Sequence, residues 1–150
     1  MTFALHPRLA ADTFTLGDLP LCRLLLMNDA QYPWCILVPR RDNAREIYRL
    51  DEADQLQLLR ESAQLSRALM AAFAGHKLNV AALGNVVPQL HLHHIARYPG
   101  DPAWPGPVWG RHPPRPYTPE ERNQALLRLQ EHVHEWRDFR PLDCWPSRSR

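Results

Sequence analysis

Eight of the chain's fifteen prolines fall in one stretch, PGDPAWPGPVWGRHPPRPYTP, residues 99–119. Proline lacks the backbone N–H that a helix interior or a central strand needs and fixes its own φ, so no regular element can cross such a stretch. Regular structure must therefore come from the residues before it and after it, with an extended connection hugging the surface between them. Trp104 and Trp109 within it point to packing against the body of the protein. Residues 1–100 are read as the functional unit, and 101–150 as an extension packed on the same domain.

Before the prolines, two short apolar runs, LCRLLLMN (21–28) and WCILVP (34–39), are separated by the turn-like DAQYP and read as paired strands. Pro39 closes the second. From Asp51 to Ala74 helix signals dominate: Asp51 caps, Glu52 and Asp54 suit the positive end of the dipole, and Gly75 supplies a stop. Leu56, Leu59, Ala63, Leu69, Met70 and Phe73 give that helix an apolar stripe. KLNVAAL then reads as a strand, GNVVP as a loop and QLHLHHIAR (89–97) as a strand of period two. After the prolines, Thr118, Pro119 and Glu121 form the start of a second helix with a capping box, and Leu126, Leu129, Val133 and Trp136 make its apolar face. The expectation is an α+β fold: an antiparallel sheet of about five strands packed with one long helix, plus the proline-rich segment and a C-terminal helix.

Eighteen basic against sixteen acidic residues leave a formal charge of +2, which gives no reason for binding to nucleic acid or membranes through bulk charge. No run approaches the length of a membrane-spanning helix, and MTFALHPRLAADTF lacks the plan of a signal peptide. Cys22, Cys35 and Cys144 form no C-x-x-C pair and are odd in number, so reduced thiols and a cytoplasmic location are expected.

The chemistry-bearing stretch is QLHLHHI. On a strand, side chains two apart share a face, so Gln89, His91 and His93 go together, while Leu90, Leu92 and His94 face the other way. Three readings are open. The histidines are the polar face of a half-buried strand, or two ligands of a metal site that lacks a visible third, or a nucleophile and its helper. In the last case one imidazole nitrogen attacks phosphorus while the other is held by a hydrogen bond, and the GNVVP loop is placed to bind the anionic oxygens.

This stretch resembles the signature of the histidine triad (HIT) superfamily, in its bacterial-type form, where three histidines alternate with apolar residues. LLLMNDAQYPWCILVPRR and LGNVVPQLHLHHIAR carry most of the similarity, within residues 21–97. The resemblance aligns the nucleophile with His91, the phosphate-contacting last histidine with His93, and the first motif histidine with Gln89. It aligns the leaving-group and hydroxyl positions of the loop with Asn85, after Gly84, and with Val86. A histidine frequent on the second strand corresponds to Cys35, the ribose-contacting residue to Asn28 or its neighbour Asp29, and Trp109 or Trp104 to an aromatic that approaches the site.

What the resemblance implies is a nucleotide hydrolase or transferase. His91 would attack the α-phosphate of a nucleoside phosphoramidate or dinucleoside polyphosphate and pass through a nucleotidyl-histidine, in a homodimer, with no cofactor and no metal. The alternatives are a nucleotide-binding module with little turnover, and a metal-dependent phosphohydrolase.

Overall fold

A computed structural model describes residues 3–147, and between Pro99 and Thr118 it has turns but no helix or strand, as the proline content requires. The chain opens with a short helix, α1 (Pro7–Asp12), and continues through β1 (Thr13–Asp18), β2 (Cys22–Met27) and β3 (Trp34–Pro39). The long helix α2 (Glu52–Phe73) follows, then β4 (Lys77–Ala81) and β5 (Leu92–Arg97). After the proline-rich segment come α3 (Pro119–Val133) and β6 (Arg140–Pro141).

The sheet is antiparallel with the order β4-β5-β3-β2-β1-β6. About five strands are expected and four of them are located in the sequence; among the described residues there are six, the unlocated ones being β1 and the two-residue β6 that adds to its edge. That addition depends on Gly17, where a Cβ would run into the Arg140 carbonyl and the Phe139 ring. β3 is buried along its whole length because both of its neighbours are paired and both of its faces are covered.

Two apolar layers sandwich the sheet. On one face Leu24, Leu26, Cys35, Leu37 and Leu92 pack against Leu58, Leu65 and Leu69 of α2 and Leu126 and Leu129 of α3. On the other, Leu25, Trp34, Ile36 and Ile95 pack against Leu9, Val87, Ala103 and Val108, so the second face is roofed by the N-terminal and proline-rich segments. Fully buried leucines such as Leu65 and Leu69 each contribute about 1.5–3 kcal/mol.

α2 is capped as its sequence implies: the Asp51 side chain accepts the Asp54 N–H, and Glu52 and Asp54 occupy the first turn. Its end differs by one residue, since Ala74 takes the left-handed turn (φ 47°) and the Gly75 N–H bonds back to the Met70 carbonyl. Its buried stripe also differs. Leu56 and Leu59 are 49% and 66% exposed, and the buried positions are Leu58, Glu61, Ser62, Leu65, Ala68 and Leu69. Two polar residues sit in that stripe because the sheet supplies partners. Glu61 accepts the Leu21 and Cys22 N–H groups (2.9 and 2.8 Å), and Ser62 meets a histidine. α3 begins with the full Thr118–Glu121 capping box and buries Leu126, Leu129 and Val133, as read from its spacing.

Candidate active site

The histidine stretch is only partly strand. β5 pairs from Leu92 onward, so Gln89, Leu90 and His91 precede the ladder. Leu90 N–H instead goes to the Ala44 carbonyl (2.8 Å), which ends the pairing. The alternation nevertheless persists: Leu90 and Leu92 enter the helix-side core, while His91 and His93 lie together on the opposite face, ring centroids 4.8 Å apart.

Each imidazole has one nitrogen committed, and the partner fixes the tautomer. His91 Nδ1 lies 2.7 Å from the Gln89 carbonyl oxygen, which can only accept, so neutral His91 holds its proton on Nδ1 and its lone pair on Nε2. His93 Nδ1 accepts the Trp34 indole N–H at 3.0 Å, so neutral His93 holds its proton on Nε2. Burial, reinforced by the neighbouring His91 and His94, pushes His93 down to about 3, which keeps it neutral at physiological pH. One ring therefore presents a lone pair and the other an N–H, side by side. Both are almost fully buried, and Trp109 packs edge-on against His93 (5.1 Å) and Trp34 (6.0 Å).

His94, the third histidine of the stretch, is on the far face with no solvent exposure. Its Nδ1 donates to the Leu92 carbonyl (3.0 Å) and its Nε2 accepts from Ser62 Oγ (2.7 Å). Burial pushes it down to about 4.

The remaining expected residues are not all gathered there. Gly84 takes a left-handed turn (φ 76°) in the β4–β5 connection, with Asn85 and Val86 exposed after it. Cys35 is not brought to the histidine pair: β3 alternation turns it to the α2 face, where it packs in the core and burial raises its thiol to about 12. Its neighbour Trp34 instead occupies the β3 position beside His93. Asn28 and Asp29 contact the proline-rich segment. Asn28 Oδ1 accepts the Tyr117 N–H (2.8 Å), and Asp29 Oδ1 accepts the N–H groups of Gln31 and Arg115 (3.0 and 3.3 Å). Trp104 lies against His76 (5.8 Å), not against the site histidines.

Gln89 engages the N-terminal segment through both ends of its side chain, bonding Ala4 and His6. Trp34, Ala4 and His6 are thus site residues that the motif does not announce. For Trp34 the available signal is the W-C-I alternation, once β3 is known to pair with β5.

Among the described residues no group of three or more His, Cys, Asp and Glu is arranged to hold a metal ion. No described helix is long and apolar enough to cross a membrane. A cleft of about 610 Å³ between α2 and α3 is lined by residues such as Ala71, Leu127 and Glu131. The site is assigned on the paired imidazoles, whose unspent nitrogens can do chemistry, rather than on cavity size.

The model of the HIT domain family matches residues 8–100. The chain belongs to the histidine triad family. Among solved structures, a histidine triad protein from Marinobacter aquaeolei VT8 is 58% identical, with TM-score 0.86 over 90% of this chain and 98% of the other. One from Bradyrhizobium japonicum is 49% identical, with TM-score 0.86 over 89% and 99%. One from Sinorhizobium meliloti 1021 is 44% identical, with TM-score 0.85 over 87% and 97%. No curated protein matches the sequence. These matches cover 87–90% of the chain and so extend beyond residues 8–100, where the family model matches.

Proposed function

We propose that this histidine triad protein is a nucleotide hydrolase or nucleotidyl transferase whose nucleophile is His91. The observation that carries the reading is the hydrogen bonding of two adjacent rings, which in their neutral forms leaves a lone pair on Nε2 of His91 and a proton on Nε2 of His93. The lone pair forms an N–P bond to the α-phosphate of a nucleoside phosphoramidate or dinucleoside polyphosphate as the P–N or bridging P–O bond breaks. The leaving amine takes up a proton, or the leaving polyphosphate departs as the anion. Water then attacks phosphorus, a nucleoside monophosphate leaves, and His91 is restored. The His93 N–H stabilises charge on the non-bridging oxygens, and we assign the rest of that cradle to the backbone of the turn at Gly84, Asn85 and Val86.

Trp109 walls the site. A ribose contact by Asn28 or Asp29 uses the Asn28 amide nitrogen and Asp29 Oδ2, since each Oδ1 is engaged. Cys35 has no part in it.

A second reading, a nucleotide-binding module of little turnover, is favoured by the engagement of the Gln89 amide elsewhere, which leaves two imidazoles rather than three polar groups for phosphate. One experiment separates these. Purified protein is incubated with a nucleoside phosphoramidate and with a diadenosine polyphosphate, with and without chelator, beside His91→Ala. Turnover that needs His91 and ignores chelator supports the nucleophile; binding without turnover supports the module; loss with chelator alone points to metal-dependent hydrolysis.

A homodimer fits the same reading. β4 is an edge strand, and Val80, Leu83 and Val86 on or beside it are 45%, 46% and 68% exposed. A monomeric mass by light scattering at micromolar concentration refutes it.

A further inference from the structure

Gln89 is joined both to the proposed nucleophile and to the N-terminal end of the protein. Its backbone carbonyl orients His91. Its side-chain Oε1 accepts the His6 N–H at 2.8 Å, and its Nε2 donates to the Ala4 carbonyl at 2.9 Å, across 83 and 85 residues of sequence. A carboxamide carries its acceptor and donor side by side on one carbon, so it can pair with a backbone C=O and N–H two residues apart much as a neighbouring strand would. An imidazole, whose two nitrogens diverge across a ring, cannot make that pair of bonds.

The segment so held is not loose elsewhere. Phe3 and Leu5, like Trp109, pack on the apolar cluster that includes Trp34 and Val87, on the face that carries His91 and His93. The His6 ring accepts the Arg8 N–H at the start of α1 (3.1 Å), and Leu9 of α1 is buried in the same cluster.

We propose that residues 3–12 form a fixed wall of the phosphate site and that Gln89 is the positioning residue that latches it. Gln89 then acts on substrate through the wall, and its own amide does not bind phosphate. The proposal rests on the nucleotidyl-transfer reading for its kinetic consequence, but not for the latch itself.

The latch is tested without substrate. Hydrogen exchange is followed across residues 3–12 in the full-length protein and in Gln89→Leu, Gln89→Glu and Gln89→His, each checked for a cooperative thermal transition. The His6 amide should exchange at least about tenfold faster in Q89L and Q89H, and by an intermediate factor in Q89E, which keeps the acceptor and loses the donor. With a nucleoside phosphoramidate, Q89L should raise KM about tenfold with a smaller change in kcat, because the wall binds while His91 stays oriented by a backbone carbonyl. The proposal is overturned if exchange at residues 3–12 is unchanged in Q89L. It is also overturned if the loss falls on kcat at constant KM, or if Q89H is faster than the parent with its N-terminal segment still protected. Should the parent turn nothing over, the nucleotidyl-transfer reading fails, and titration of Q89L with a nucleoside monophosphate takes the place of KM. An affinity equal to the parent's then overturns the wall.

Discussion

His93 and His94 are adjacent in sequence, both buried and both held neutral, yet they belong to opposite faces of the sheet. His94 has both nitrogens satisfied inside the helix-side core, by Ser62 and by the Leu92 carbonyl. Among the described residues His93 has only Nδ1 satisfied, by Trp34, and it keeps an N–H beside His91. Burial and a depressed pKa are common to both, so neither marks function. What separates a site histidine from a core histidine is a nitrogen left unspent with a reactive neighbour.

The largest expected effect on this contrast is at His91. His91→Ala should lower release of nucleoside monophosphate by at least about 10³-fold, whereas His94→Leu should keep its turnover per folded molecule. Equal losses in the two variants would erase the distinction between the faces.

Acid should act on both histidines. The unfolded imidazoles take up protons near pH 6.5, whereas the folded ones resist until about 4 for His94 and about 3 for His93. Stability is therefore complete above pH 6.5 and falls as the pH drops toward 4, by up to about 1.4 kcal/mol per unit for each histidine. Urea unfolding at pH 7, 6 and 5 measures the slope, and His94→Leu should make it shallower; an unchanged slope would mean that His94 is not held neutral by the core.

Ser62→Ala leaves the His94 acceptor buried without a donor and should cost about 1–3 kcal/mol in urea unfolding at pH 7, with turnover intact. Trp34→Phe removes the donor to His93 while keeping the aromatic bulk. It should lower kcat/KM about tenfold and raise the His93 pKa, because the lost hydrogen bond favoured the neutral ring. Nitrogen chemical shifts of His93 against pH read the second effect directly. The smallest effect is at Cys35: replacement by Ala should cost about 1 kcal/mol of stability and leave kcat/KM alone, whereas a kinetic loss would return it to the site.

Much of this molecule is written locally. The proline stretch excludes regular structure wherever it falls, Asp51 and Thr118 cap the helices they precede, and the two-residue period groups His91 with His93 and sets His94 apart. Each of these follows from steric and hydrogen-bonding rules that reach only a few residues along the backbone, so the α+β architecture and the pairing of His91 with His93 are legible in the sequence.

Other features depend on partners distant in sequence. Trp34 rather than Cys35 stands beside His93 because β3 and β5 pair across 59 residues in a register that no local pattern specifies. Glu61 and Ser62 are buried while Leu56 and Leu59 are exposed because strand groups contact that side of α2, overriding the apolar count of the helix itself. Gln89 meets Ala4 and His6 only because the N-terminal residues fold back over the sheet. Local patterning places α2, α3 and four of the six described strands, and it groups the histidines by face. The tertiary structure decided what each of those histidines touches, because the remaining hydrogen bonds of an imidazole go to whichever group the fold brings within about 3 Å, however far away it lies in sequence.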